Sequence, residues 1–455
     1  MLRSRALVPV GLLLAAAVLR APSASGQTLP RVDAAPAPSA APEAEAEPVN
    51  DSEGYTPPPE GSGAPSPLSI NGYVDVGFAK AQGNGTSFAP GDTRVPLDYG
   101  VDGFAPAVNS RGDAASTDPG GRFVNGFLPR SAGIGGRPSF LLNTLSVDLK
   151  YAAPGAPLMV FSRVQFVPRF SEWGDVGDAT RPVVEQGFAR LVPFDSQEMA
   201  LTVGKFDSVF GIEYLDNQAN IRTGITPSLI ARYTTGQSIG AKLFYRIQIA
   251  PIWSALSLNV AATNSGNFIE VLQPPDANLT GAPVGSGRLG YELNTPVLQA
   301  KLGVSGMYGP RNDQPERSAL QKAYGADLRI AVVGLYVNAE YVRVEEGQGG
   351  IKTTSVGVYP FSSAFWARGG YVQLAYALSL DAGPLHKLTV YGRYDRRHAY
   401  FEGYTPITVD RITGGLRIDL WEAVILKGEY LVNRELVGAP TVANNVITSS
   451  LVYSW

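Results

Sequence analysis

Charged side chains recur at every second position in several segments of this chain, a spacing that puts them on one face of an extended strand. The basic members are Lys150, Arg163, Lys242, Arg246, Lys301, Arg329, Arg393, Arg397, Arg411, Arg417 and Lys427. The acidic ones are Asp148, Asp327, Glu340, Asp395, Asp419 and Glu429. No nucleophile–base pair accompanies them. Cysteine is absent and the two histidines, His386 and His398, stand apart from any ligand partner. Thiolate chemistry, disulfides, Cys-ligated metals and a histidine-based triad are therefore excluded. No P-loop, Gly-x-Ser-x-Gly or His-Glu-x-x-His pattern occurs. The chain is expected to be no enzyme and to need no cofactor and no metal. What a row of such charges can do is electrostatic: hydrate and brace a wet wall, or filter ions that pass it.

Strands are needed to position these residues. In 68–79, Leu68, Ile70, Val74, Val76 and Phe78 oppose Ser69, Asn71, Tyr73 and Asp75. In 237–249, Ile239, Ala241, Leu243, Tyr245, Ile247 and Ile249 oppose Ser238, Gly240, Lys242, Arg246 and Gln248. The same rhythm sets Leu302 and Val304 against Lys301 and Ser305, and Ile412 and Leu416 against Arg411 and Arg417.

The connections say which sheet this is. Tight links carrying Pro or Gly at 152–157, 193–197, 250–254, 294–296, 331–334, 381–385 and 420–422 alternate with longer polar ones. The long links are 80–139, 169–182, 207–236, 264–288, 309–319, 345–369, 398–408 and 435–444. Seven short and eight long links predict an all-β fold: a transmembrane antiparallel up-and-down β-barrel of about 16 strands, with both chain ends on the short-turn side. A hairpin within the long first link would make 18. Lipid offers the backbone no hydrogen-bond partner, so a sheet that crosses it must close on itself.

The N-terminus adds an export reading. A basic head (Arg3, Arg5), an apolar stretch from Ala6 to Leu19 and small residues to Gly26 predict a signal peptide over 1–26. Residues 27–67, rich in Pro, Ala and Glu, predict a disordered periplasmic tether, and 68–455 the barrel. A net charge of −3 and a pI near 5.6 give no basic surface for nucleic acid. The expected location is the outer membrane of a Gram-negative bacterium, with outer-membrane lipid as integral surroundings. The alternating terminal series Leu451, Tyr453, Trp455 is the kind of C-terminus that barrel-insertion machinery reads.

Charge at mid-strand facing lipid costs about 2–4 kcal/mol for Lys or Arg, so the charged rows are assigned inward. Eleven bases against six acids make the wall positive by five. Two readings stay open: bracing of a water-filled lumen, or a preference for anions. Link 207–236 differs from the others because it carries Ile212, Tyr214, Leu215, Ile221, Ile225, Leu229, Ile230 and Tyr233. Thr226-Pro227 has the form of a helix start. This link is expected to bend into the barrel as a constriction, with Asp207, Glu213, Asp216, Arg222 and Arg232 facing the basic wall. A latch over a neighbouring protomer, as in a homotrimer, is the other reading.

Leu201-Thr202-Val203-Gly204-Lys205-Phe206-Asp207, followed by Phe210-Gly211 and Glu213 and by the entry Tyr233-Thr234 to Gly240-Ala241, resembles the OmpL-like β-barrel porin family of Gram-negative bacteria. That resemblance implies passive diffusion of small hydrophilic solutes and no catalytic residues. Two alternatives remain beside it: an outer-membrane enzyme, which would need a clustered nucleophile and base, and a surface-binding barrel. An adhesin-type barrel would bind a partner through the first link, 80–139. Arg111-Gly112-Asp113 in that link is read as chance, and Asp395-Arg396-Arg397-His398 as a charged rim.

Overall fold

The computed structural model describes residues 67–81, 139–152, 156–166, 182–193, 199–250, 253–264, 266, 280–311, 317–349, 364–401, 406–437 and 445–455, with the short strands 115–117, 123–127, 353–354 and 357–358. The export segment 1–26, residues 27–66 and Arg111-Gly112-Asp113 lie outside them.

Sixteen strands form one closed antiparallel barrel. They are β1 (Leu68–Ala81), β2 (Ser139–Ala152), β3 (Leu158–Phe166), β4 (Val183–Leu191), β5 (Met199–Asp207), β6 (Gln237–Ala250), β7 (Ser254–Thr263) and β8 (Val284–Asn294). The second half comprises β9 (Leu298–Pro310), β10 (Leu320–Val332), β11 (Leu335–Glu346), β12 (Phe365–Ala382), β13 (Leu385–Phe401), β14 (Ile407–Leu420), β15 (Val424–Val437) and β16 (Val446–Ser454). Each strand pairs with its neighbours in chain order, and β1 closes on β16 from Tyr73–Ser454 to Ala81–Val446. The strands Ala115–Thr117 and Phe123–Phe127 pair with each other, outside the barrel. An extra hairpin therefore exists in the first link without raising the count to 18.

Three boundaries differ from the sequence reading. The link expected at 264–288 ends earlier because β8 starts at Val284; Gly285, Gly287 and Gly290 blank the alternation there. The link expected at 345–369 ends at Phe365, where β12 begins, and β13 runs on to Phe401, past the expected break at 398. Cross-strand pairing continues through these residues and overrides their polar composition.

The barrel is apolar outside and polar inside. Ile70, Val203 and Leu374 are each more than half exposed, while Asp75 and Arg397 on the opposite face are nearly inaccessible. In water this would be an unstable surface. In hydrocarbon it is the favourable one, since every backbone group pairs within the closed sheet. No helix among the described residues is long and apolar enough to cross a membrane; the crossing is made by strands. The chain is an integral outer-membrane barrel.

The closing seam is fastened at the chain end. Gly72 and Trp455 exchange two backbone hydrogen bonds, of 3.1 and 3.0 Å. The indole of Trp455 lies over Gly72, where any Cβ would overlap it. Leu451, Tyr453 and Trp455 all face outward, and the Tyr453 and Trp455 rings stack at 6.3 Å.

Candidate functional site

The segment 208–236 between β5 and β6 crosses the interior rather than the surface. Most of it is buried, which an irregular segment tolerates only if its peptide groups find partners. The wall supplies them. Glu340 on β11 accepts from the N–H groups of Ile212 (3.3 Å) and Glu213 (3.1 Å). Glu429 on β15 accepts from Ile225 (2.7 Å) and Thr226 (3.0 Å), and also from the Tyr391 hydroxyl. Asp395 on β13 accepts from Leu229 (3.2 Å).

Basic side chains take the carbonyls. Arg393 donates to Thr226 O (2.8 Å) and Pro227 O (2.9 Å), and Arg411 reaches Pro227 O at 3.4 Å. Arg417 donates to Ile221 O (2.8 Å). Arg329 binds Ile212 O (2.9 Å) and the Asp216 carboxylate (2.7 Å). The ammonium of Lys427 sits among the carbonyls of Ala219, Arg222 and Gly224. Arg397 donates to the Tyr233 hydroxyl (3.1 Å). Six of the eleven predicted basic residues and three of the six acidic ones thus converge on this one segment, all from β10, β11 and β13 to β15.

Apolar packing adds to these bonds. Phe210, Leu229, Ile230 and Tyr233 join one buried cluster with Val284, Met307, Val342, Val344, Phe365 and Val409 on the inner face of β8 to β14. Farther along, Ala219 packs on Tyr73 and Val452 at the seam. Burying a side chain such as Leu, Ile or Phe contributes about 1.5–3 kcal/mol. Gly211, at φ +76°, lets the backbone turn against Glu340, whose carboxylate a Cβ would overlap.

The remaining predicted residues stand elsewhere. Arg163 forms a bidentate pair with Asp148 (2.7 and 2.8 Å), Arg246 meets Glu292 at 3.3 Å, and Asp419 binds Arg417. Asp327 is held by Arg288, Lys242 lies 5.2 Å from the centre of the Phe206 ring, and Lys301 lies opposite Arg329. Lys150 is half-buried on β2.

Three expectations for 207–236 are corrected. Asp207 ends β5 and accepts from Gln186 and Gln237, so it is a strand residue. Glu213 turns back onto its own segment, accepting from the Ser228 N–H and hydroxyl. Burial raises its carboxyl above the usual range, against the pull of Arg393 and Ser228. Thr226-Pro227 starts no helix: Arg393 holds both carbonyls, and the short α1 spans Ala231–Thr234 instead. Arg222 is buried in the segment, and the side chain of Arg232 lies outside the described residues.

The sequence reading missed several interior groups. Arg190 and Arg288 were hidden by the weak alternation of β4 and by the glycines of β8. Glu185 and Glu292 also face inward, as does Asp75, which the alternation of 68–79 had placed on the polar face. With Asp207 of β5, four acids thus join the wall for two bases, and the crossing segment brings Glu213 and Asp216 against Arg222, so the basic surplus among these named groups falls from five to two. The inward Val342 and Val344 share the parity of Glu340. That break in a polar row was the available sign of a docked segment.

His386 is exposed beside a short turn. His398 lies within β13 and bonds the Thr408 hydroxyl at 2.7 Å. Asp395 and Arg397 point inward while Arg396 and His398 point outward, so the four are two faces of a strand and no rim.

No protein-family model and no curated protein sequence matches the chain. Solved structures with a related outline include the outer membrane channel DcaP of Acinetobacter baumannii (10% identity, 85% of this chain and 97% of that one, TM-score 0.49). A loop L8 deletion mutant of OmpT, an outer membrane protein of Vibrio cholerae, gives 12%, 85%, 99% and 0.45. An anion-selective porin from Comamonas acidovorans gives 10%, 85%, 99% and 0.44.

Proposed function

We propose that the chain is a porin: a water-filled channel for passive diffusion of small hydrophilic solutes, narrowed by the segment 208–236. The observation that carries this reading is the fastening of that segment across the interior by charged groups of β10, β11 and β13 to β15. A wall that only needed to be wet would not require such a fixed cross-piece. Solutes would pass between the segment and the inner faces of β2 to β4, where Lys150, Arg163 and Arg190 face Asp148 and Glu185. Size is then filtered by the gap and charge by these groups, with no energy coupling and no covalent step.

The charge filter proposed is a mild preference for anions, set by the basic surplus of the inner wall, to which Lys150 and Arg190 contribute. Purified protein in a planar bilayer should give stepwise conductance, and a KCl gradient should give a zero-current potential of the anion-preferring sign. A cation-preferring sign would overturn the charge filter. Absence of steps would overturn the channel itself. Kinship with the OmpL-like porins rests on the Leu201–Asp207 stretch and its sequel, and belongs to the same proposal.

A further inference from the structure

We propose that the outward face of β10 to β15, at the end bearing the long connections, binds one phosphorylated lipid of the outer leaflet. Arg343 on β11 lies directly opposite Arg368 on β12, and Arg368 directly opposite His398 on β13. Like charges opposed in this way destabilise a sheet. Yet both guanidinium groups are held over a single indole, 5.6 and 5.7 Å from the centre of the Trp366 ring. Glu345 lies 2.8 Å from Arg343 and 2.7 Å from Lys322. Asp410 lies 3.7 Å from Arg396 and opposite Arg434. Among the described residues, five cations, Lys322, Arg343, Arg368, Arg396 and Arg434, therefore share two carboxylates on a wall that faces lipid. An anion at headgroup level would complete the set. Guanidinium groups suit phosphate because they offer paired donors in a plane.

The surface beside this cluster has room for the rest of a lipid. Gly370 stands between its cross-strand partners Tyr341 and Arg396 and leaves a notch in the outward face. With Val372 and Tyr394 it floors a groove of about 770 Å³ that has Arg368 and Arg396 among its lining residues. The groove's walls are mostly apolar, and its size is that of a ligand pocket. Cations beside an apolar groove at the membrane surface fit a phosphate-bearing headgroup with acyl tails better than a free anion.

The test uses the full protein in dodecyl maltoside, with bound lipid read by native mass spectrometry. Three probes are compared: a diphosphorylated acylated glucosamine disaccharide, its dephosphorylated counterpart, and inorganic phosphate. One phosphorylated lipid should be retained, with the other two probes at least about tenfold weaker. Arg343→Gln, Arg368→Gln and Arg396→Gln together should weaken retention about a hundredfold, with heat-dependent electrophoretic migration and conductance unchanged. Ala326→Phe, on the exposed face opposite Tyr341, should weaken it by filling the groove without altering charge, and decides the matter if the triple variant fails to fold. Equal retention by the triple variant, or by Ala326→Phe, would overturn the proposal. So would equal binding of the dephosphorylated lipid, or binding of inorganic phosphate as tight as that of the lipid.

Discussion

The inner face of β9 to β15 and that of β2 to β4 have similar compositions and different tasks. Both alternate charged with small residues. On β10, β11 and β13 to β15 the charges bond a foreign backbone: Glu340 and Glu429 take four of its N–H groups, and Arg393 two of its carbonyls. On β2 to β4 the charges pair along the wall, as Arg163 does with Asp148 and Glu185. Identical residue types thus hold a cross-piece on one side and line the facing wall on the other. The difference lies in what the closed barrel brings opposite them.

Arg393→Met should break the holding side more than any other single substitution. It leaves Asp395 buried with a lost partner, at about 3–5 kcal/mol, which should show as a lower temperature of heat-induced migration change in electrophoresis and as noisier channels. Glu340→Ala with Glu429→Ala strips four peptide N–H groups of acceptors, at about 1–3 kcal/mol each when left unsatisfied. Because the segment can then move, single-channel conductance should rise with flicker; unchanged, quiet steps would show that the segment is held without these carboxylates. Lys150→Glu with Arg190→Glu should shift the zero-current potential toward cations. An unmoved potential would place the charge filter elsewhere. Least affected should be Arg246→Ala: its contact with Glu292 at 3.3 Å is partly exposed, worth about 0–1 kcal/mol, so thermal migration should barely change.

Much of this architecture was readable in one dimension. The parity of Ile239, Leu243 and Ile247 against Lys242 and Arg246 gave the two faces of β6, and the alternation of short and long links gave sixteen strands. Arg190 and Arg288 were missed where glycines or irregular order blurred the parity. Within 207–236, the apolar content marked the segment as unlike an exposed loop. It could not say that Glu213 would turn back to Ser228, nor that Asp207 would finish a strand.

Strand direction, the sidedness of residues in the regularly alternating strands and the lipid-facing surface follow from the residue order alone, because a pleated strand sends neighbours to opposite faces and hydrocarbon penalises charge. The fastening of the crossing segment was decided only in three dimensions. Glu340 lies 128 residues from Ile212, and Glu429 lies 204 residues from Ile225. No local pattern couples positions so far apart. Closing the sheet from β1 to β16 sets them face to face, and burial of the contact between segment and wall, where little water competes, makes each carboxylate the natural acceptor for a buried peptide N–H.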